Sequence, residues 1–143
     1  MEKHIAHLKA LEQEAKELVV SLSPGEHATL ITLSGELGAG KTTFTQAIAR
    51  ALGVTDIVTS PTFVLEKMYE LTGMPFKRLV HIDAYRLTAG NDLAPLAFHT
   101  LYKEPDNLIV LEWPERVVDA LPAAEVAITL VPNPDGSRTF TYA

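Results

Sequence analysis

The segment GELGAGKT, residues 35–42, constrains this chain most, because three glycines within six residues cannot form a regular helix or strand. The short apolar run Ala28–Leu33 precedes it and predicts a strand. The segment Thr42–Leu52 follows it with apolar side chains at helical spacing, and Gly53 stands where a left-handed residue ends a helix. The order of strand, glycine loop and helix matches the phosphate-binding pattern G-x-x-x-x-G-K-[ST]. It predicts an α/β chain that binds a nucleoside triphosphate.

Each residue type in this loop has a physical role toward phosphate. Glycines let backbone N–H groups approach phosphate oxygens, and the following helix directs the positive end of its dipole at the same anion. The Lys41 ammonium supplies charge for the β- and γ-phosphates, and the Thr42 hydroxyl is a ligand for Mg²⁺. We predict ATP or ADP with Mg²⁺ as the bound cofactor. The predicted nucleotide-binding residues in the loop are Gly38, Ala39, Gly40, Lys41, Thr42 and Thr43.

Two acidic residues are candidates for a second magnesium ligand. Asp83 ends the apolar run that begins at Leu79, and Glu112 ends the run that begins at Leu108. Both should emerge at the carboxyl edge of the sheet, where ligands bind in open α/β folds. Strand spacing does not decide which of the two contacts the metal, and a salt bridge to a base such as Arg86 is an alternative for either one.

The rest of the chain predicts a three-layer sandwich of the P-loop NTPase type, with a central mixed sheet, helices on both faces and a C-terminal hairpin. Apolar residues between Ile5 and Leu22 recur at helical spacing. The other predicted elements are an antiparallel strand pair (63–71 and 78–83), a short helix (93–101), a buried strand (108–111) and the hairpin strands (125–131 and 138–142).

Composition limits the possible partners and compartments. The net charge is −6 and the twelve lysines and arginines form no cluster, which argues against binding DNA or tRNA without partners. There is no cysteine, which excludes thiolate metal sites and thiol catalysis. No apolar run reaches the roughly 18 residues of a membrane span. We expect one domain, residues 1–143, in a cytoplasmic protein that does not bind membranes.

Other nucleotide-dependent classes lack their own motifs here. A GTPase should carry N-K-x-D and D-x-x-G sequences, yet Asp83 is followed by Ala-Tyr-Arg. A small-molecule kinase usually brings several arginines to the transferred phosphoryl group, and this chain has five without a cluster. An ATPase is therefore favoured. A nucleotide-gated binding module and a small kinase remain as alternatives.

Four motifs in order resemble one family. They are GELGAGKTTF (35–44), SPTF (60–63), HIDAYRL (81–87) and LEW (111–113). Together they are similar to the bacterial tRNA threonylcarbamoyladenosine biosynthesis ATPases of the TsaE (YjeE) family. The glycine loop alone marks a superfamily, whereas the other three motifs are specific to this family. The likeness runs from about Gly25 to Leu121.

The resemblance implies a P-loop ATPase with low intrinsic activity that acts with the TsaD and TsaB proteins, which modify an adenosine of tRNA. Contact with tRNA would be indirect, through that complex. The resemblance assigns catalytic roles to Lys41, Thr62, Asp83 and Glu112, with Thr62 in a switch-like loop; the alternative for Thr62 is that it only caps a turn after Pro61. It places magnesium at Thr42, Glu112 and Asp83, and a late nucleotide contact at Arg138, close to Gly136.

Three more residues of these motifs allow two interpretations each, and a fourth, His81, has one expected role. Tyr85 and Trp113 would line the site or the partner face, but such amphipathic side chains also commonly pack with one polar end satisfied. Arg86 would stabilise γ-phosphate charge or form a salt bridge. His81 lies mid-strand, where a hydrogen-bonded structural residue is the expected role.

Overall fold

The strands with the most continuous apolar sequence lie at the centre of the sheet, as expected of strands covered on both faces. In this computed structural model, which describes residues 1–55 and 66–143, seven strands form one mixed sheet. They are β1 (Glu2–Ile5), β2 (Thr29–Ser34), β3 (Glu66–Glu70), β4 (Arg78–Asp83), β5 (Asn107–Glu112), β6 (Val126–Pro132) and β7 (Arg138–Tyr142), in the order β1-β7-β6-β2-β5-β4-β3.

The central strands run parallel and the outer strands antiparallel. β2 pairs in parallel with β5 on one side and with β6 on the other, and β4 pairs in parallel with β5. All six residues of β5 are buried. β3, β7 and β1 are antiparallel to their neighbours. The carboxyl ends of β2, β4 and β5 therefore share one edge of the sheet, and the glycine loop leaves from it.

Helices cover both faces of the sheet, which gives three layers. On one face, α1 (Leu8–Ser21) and α2 (Lys41–Ala51) pack on a core that includes Leu33 and Val110. The other face carries α3 (Phe98–Tyr102) and short 3₁₀ turns around a second core that includes Ile109. The predicted α/β class, with its mixed sheet and C-terminal hairpin, is confirmed. Within the two described ranges, no helix combines the length and the apolar character needed to cross a membrane.

Two predicted elements differ from the structure. The short helix predicted at 93–101 is a 3₁₀ helix (Gly90–Leu96) followed by α3, because Pro95 lacks a backbone N–H and Ala97 is left-handed, with φ 55°. The N-terminal helix begins at Leu8 rather than near Ile5. Ile5 instead ends β1, a strand that the helical pattern did not predict. The strand predicted at 63–71 is described only from Glu66, and there it pairs antiparallel with β4 as expected.

Candidate nucleotide-binding site

The glycine loop has a backbone that side chains would obstruct. Gly35, Gly38 and Gly40 adopt φ values of 150°, 81° and 101°, in the region that favours glycine. A Cβ on Gly35 would lie 2.6 Å from the carbonyl oxygen of Leu130 in β6, so the loop passes close to the neighbouring strand. Gly40 is the N-cap of α2 and has no side chain to accept hydrogen bonds from the first N–H groups of the helix. Those donors are available to an anion.

Lys41 folds back over the loop in which it lies. Its ammonium donates to the carbonyl oxygens of Gly35 at 2.5 Å and Glu36 at 2.9 Å. The same nitrogen lies 4.2 Å from the centroid of the Trp113 ring, within cation–π range. The side chain is buried, with 5% of the residue exposed. The Lys41 ammonium, which is predicted to bind phosphate, is thus held at the loop between backbone carbonyls and the face of an aromatic ring.

Burial also affects the protonation of Lys41. Desolvation lowers the pKa of its ammonium below the ordinary value, and three nearby carboxylates oppose that shift: Glu112, Glu115 and Asp83. A bound phosphate would act in the same direction as the carboxylates, because a nearby anion favours the charged form of a lysine.

Glu112 lies beside the first turn of α2. Leu33 and Glu112 are partners in the β2–β5 pairing, so the glutamate emerges next to the strand that leads into the loop. The Thr42 hydroxyl donates to the Glu112 carboxylate, 3.1 Å from Oε1 and 3.3 Å from Oε2. The structure therefore brings together two of the three predicted magnesium ligands.

The Glu112 carboxylate is almost fully buried, with 2% exposed. His81 Nε2 lies 2.5 Å from Oε2, and the Thr45 hydroxyl lies 3.5 Å from the same oxygen. Among the residues described, no lysine or arginine nitrogen is within 4.0 Å of this carboxylate. Its hydrogen bonds come from hydroxyls and an imidazole, and the Lys41 ammonium interacts with its charge only from beyond ion-pair distance.

Asp83, the third predicted metal ligand, shares the sheet edge with Glu112, because the two are partners in the β4–β5 pairing. Its Oδ1 accepts a hydrogen bond from the Tyr85 N–H at 3.0 Å and so caps the turn that follows β4. Thr62, predicted to lie in a switch-like loop, is outside the described residues. Arg86 is exposed in the turn after β4, and its two possible roles stay predictions.

Arg138 reaches the loop from β7. Its Nε donates to the Ala39 carbonyl at 2.8 Å, and its Nη1 donates to the Gly136 carbonyl at the same distance. The arginine thus stabilises the backbone of the phosphate loop. In the sequence, only the resemblance to the family pointed to this residue.

Two cavities flank the loop, and most of their lining was not predicted. One, of about 180 Å³, lies beside Gly40 and Thr43. Its other lining residues come from both ends of the chain: Ile5, Ala6, His7, Leu8, Leu11, Gly136 and Arg138. The sequence carried no local signal for this cavity, because its walls meet through the β1–β7 pairing and the packing of α1 on α2.

The second cavity, of about 640 Å³, lies on the Gly35 side of the loop and includes Tyr85 and Trp113. Their ring centroids are 4.9 Å apart. The Arg116 guanidinium is 5.2 Å from the Tyr85 ring and 5.6 Å from the Trp113 ring. Arg116 was missed by motif reasoning, although it stands only three residues after Trp113. Both aromatic residues line this cavity.

Comparisons with known proteins agree with the motifs. A family model described as threonylcarbamoyl adenosine biosynthesis protein TsaE matches residues 5–140. A curated relative from Bacillus subtilis is 34% identical over 128 residues, which cover 90% of this chain and 75% of that protein. One from Treponema pallidum is 38% identical over 121 residues, covering 82% and 84%. Both are named tRNA threonylcarbamoyladenosine biosynthesis protein TsaE.

A third relative and a solved structure extend the comparison. The Streptomyces coelicolor protein of the same name is 46% identical over 93 residues, which cover 64% of this chain and 61% of that protein. The chain thus matches less than two thirds of that relative's length. The crystal structure of Bacillus subtilis YdiB superposes with a TM-score of 0.74 at 29% identity, covering 99% of this chain and 83% of that one.

Proposed function

The chain belongs to the threonylcarbamoyl adenosine biosynthesis protein TsaE family, and from that premise we propose that it is a magnesium-dependent ATP-binding protein that hydrolyses ATP slowly. Proteins of this family are involved in the biosynthesis of threonylcarbamoyladenosine in tRNA. We propose that hydrolysis supports that pathway as an accessory activity, in the cytoplasm, and that the transfer itself is carried out by other proteins.

The observation that carries this proposal is the contact between the Thr42 hydroxyl and the Glu112 carboxylate at the start of α2. Hydroxyl and carboxylate oxygens are the hard ligands that Mg²⁺ prefers. In the described part of the chain, no group of three or more His, Asp or Glu side chains could hold a metal by itself. A magnesium ion here would depend on phosphate oxygens and water for its other ligands, as is usual for Mg²⁺ bound with a nucleotide.

The loop geometry supports a triphosphate as the partner of that ion. The first N–H groups of α2 have no side-chain cap, the Lys41 ammonium lies over the carbonyls of Gly35 and Glu36, and Thr43 lines the 180 Å³ cavity. We propose that Gly38, Ala39 and Gly40 contact phosphate through their backbone, and that the nucleoside extends toward the cavity. Arg138, which lines the same cavity and donates to the Ala39 carbonyl, would hold the loop in position and contact the nucleotide.

The proposed reaction is phosphoryl transfer from ATP to water, in which the protein positions groups and stabilises charge. Lys41 would offset charge on the transferring phosphoryl group. Thr42 and Glu112 would hold the magnesium ion, which supplies electrostatic stabilisation when bound. Asp83, at the same edge of the sheet, would orient water or a ligand of the metal, and Thr62 would complete the site. With one lysine as the main cation, the isolated protein should react slowly.

The proposed partners are the TsaD and TsaB proteins, with tRNA reached only through their complex. The net charge of −6 supports this arrangement, because a protein that grips nucleic acid directly usually presents a basic face. The exposed Tyr85 and the half-buried Trp113 lie beside the loop, and they form the surface on which a partner could sense the bound nucleotide.

Replacing Lys41 with alanine tests the binding site. Lys41→Ala removes two charge-assisted contacts to phosphate, so we expect nucleotide affinity to fall by about 100-fold or more. Titration with a fluorescent ATP analogue measures this change. Lys103→Ala, which removes an exposed lysine after α3, is the matched control and should leave affinity unchanged. Affinity retained in the Lys41 variant, with an unchanged melting temperature, would contradict the site assignment.

A second experiment tests the activity. Phosphate release from ATP is measured for this protein alone, for the TsaD–TsaB pair alone and for the mixture. The proposal expects the mixture to exceed the sum of the two. If ATP controls docking but the pair leaves hydrolysis unchanged, the protein is a nucleotide-gated binding module instead. A phosphorylated product other than inorganic phosphate would identify a kinase.

A further inference from the structure

We propose that His81 is a positioning residue that orients the Glu112 carboxylate toward the magnesium site, an inference that rests on the proposed function. His81 lies in the middle of β4 and is fully buried. It is the β4 partner of Val110, two residues before Glu112 in the adjacent strand β5. Because alternate residues of a strand share a face, the imidazole and the carboxylate both lie beneath α2.

The two oxygens of Glu112 have different neighbours. Oε2 lies 2.5 Å from His81 Nε2 and also near the Thr45 hydroxyl. The Thr42 hydroxyl lies near both oxygens, 3.1 Å from Oε1 and 3.3 Å from Oε2. Oε2 is therefore held from the strand side, and this contact leaves the carboxylate facing the hydroxyl at the head of α2. Holding Oε2 in this way requires a donor at the position of His81 Nε2.

The hydrogen bonding of the imidazole supports this role. Its Nδ1 is buried and has no hydrogen-bond partner among the residues of the structure. A proton on that nitrogen would be buried without an acceptor, so the proton belongs on Nε2, where Glu112 accepts it. The single described hydrogen bond of this ring is thus to the carboxylate. A histidine that only supported the core would ordinarily satisfy both ring nitrogens.

Fixing a carboxylate matters for magnesium in particular. Mg²⁺ demands near-octahedral geometry, so a ligand that rotates away weakens binding sharply. Hydrogen-bonded partners behind metal ligands typically contribute 10–100-fold to metal affinity. His81 should therefore affect how strongly Mg²⁺ tightens nucleotide binding, with no effect on binding in the absence of the metal.

The test compares His81→Leu with His81→Gln in the full-length protein. A glutamine amide can place an N–H near the position of Nε2, whereas leucine offers no donor. ADP affinity is measured in EDTA and across a Mg²⁺ titration, and Mn²⁺ binding to the ADP complex is followed by electron paramagnetic resonance. We expect His81→Leu to weaken metal binding by about 10-fold or more, with unchanged affinity in EDTA, and His81→Gln to recover most of the loss.

A control separates positioning from a general loss of stability. Asn107→Ala removes a buried side chain that donates to the Leu101 carbonyl at the opposite end of β5. It should lower the melting temperature and leave the Mg²⁺ dependence within twofold of the original. If His81→Leu behaves like Asn107→Ala, the histidine is merely structural and the inference is wrong. If the original protein itself shows no nucleotide binding, the proposed function fails first.

A measurement on the unsubstituted protein covers the case in which His81→Leu does not fold. In ¹⁵N-edited spectra of histidine side chains, the inference expects a protonated Nε2 for His81 in the ADP complex. It also expects the Nε2 resonance to shift when Mg²⁺ is added. A proton on Nδ1, or a resonance that ignores Mg²⁺ while nucleotide binding tightens, would overturn it.

Discussion

Among the residues that the structure describes, two glutamates are buried, and their surroundings differ. Glu14 of α1 is 6% exposed and Glu112 of β5 is 2% exposed. Glu14 accepts from the Lys3 ammonium at 3.2 Å and from the Tyr142 hydroxyl, so it joins β1, α1 and β7. Glu112 is surrounded by threonine hydroxyls and a histidine. Glu14 forms an ion pair with a lysine, whereas among the described residues Glu112 has no lysine or arginine nitrogen within 4.0 Å.

This difference in surroundings indicates a different role for each carboxylate. A buried charge is expensive unless a partner compensates it. Lys3 compensates Glu14, and the result is a tie between the first strand, the first helix and the last strand. At Glu112 the contacts orient the carboxylate, but in the described part of the chain it forms no direct ion pair with a lysine or arginine. A divalent ion held beside a nucleotide would complete that site, so the burial of Glu112 has a cost in stability that function explains.

The largest expected effect comes from neutralising Glu112. Glu112→Gln keeps the size of the side chain and removes the charge that would attract Mg²⁺. We expect ATP hydrolysis, measured by phosphate release, to fall by about 100-fold or more, in line with the loss of a charge-stabilising group. The melting temperature without nucleotide should change by less than about 3 °C, because relief of the buried charge offsets lost hydrogen bonds. Unchanged hydrolysis would show that Glu112, like Glu14, has only a structural role.

The same substitution at Glu14 should affect stability instead. Glu14→Gln removes the buried charge that faces Lys3 and weakens the bond from Tyr142, at a cost of about 1–3 kcal/mol in the free energy of unfolding. Urea denaturation measures this loss, and the Mg²⁺ dependence of ADP binding should not change. Glu17→Gln is the control, since its side chain is 56% exposed and its pairing with Lys3 at 3.9 Å should contribute little. If Glu14→Gln changed the Mg²⁺ dependence of ADP binding, the distinction between a structural Glu14 and a functional Glu112 would be wrong.

The smallest effect concerns Tyr142 and pH. Burial, together with the hydrogen bond to Glu14 and its charge, raises the pKa of the Tyr142 phenol well above its usual value. A group with a raised pKa in the folded state adds stability below its unfolded pKa, about 10, and that stability is lost as pH rises beyond it. Tyr142→Phe should cost about 1 kcal/mol near pH 8. The difference in the free energy of unfolding between Tyr142→Phe and the original protein, measured by urea denaturation, should shrink by pH 11. A difference that stays constant with pH would contradict the raised pKa of Tyr142.

The local pattern of the sequence was sufficient for much of this molecule. The glycine loop, the strand before it and the helix after it were predicted because their signals are local: glycine spacing, an apolar run and helical periodicity. The hairpin of β6 and β7 and the buried strand β5 were predicted for the same reason. Thr62 stays a prediction, because it lies outside the described residues.

Other features depended on pairings that no local pattern reveals. β1 was missed because its four residues, Glu2–Ile5, are mostly polar and form a strand only beside β7. The burial of Glu14 could not be foreseen, since glutamate is ordinarily exposed. The cavity beside Gly40 could not be foreseen either, because its lining residues come from both ends of the chain and meet only in the folded protein.

The sequence by itself determined the phosphate loop, with Lys41 and Thr42 at the head of a helix, because adjacent residues and backbone geometry suffice to build it. It also determined that Asp83 and Glu112 end apolar strands. Only the tertiary structure decided that Glu112 faces Thr42, because β5 is the strand that pairs with β2 whereas β4 lies one strand further away. Strand order depends on how whole faces of the sheet are buried, and one strand's sequence carries little of that information.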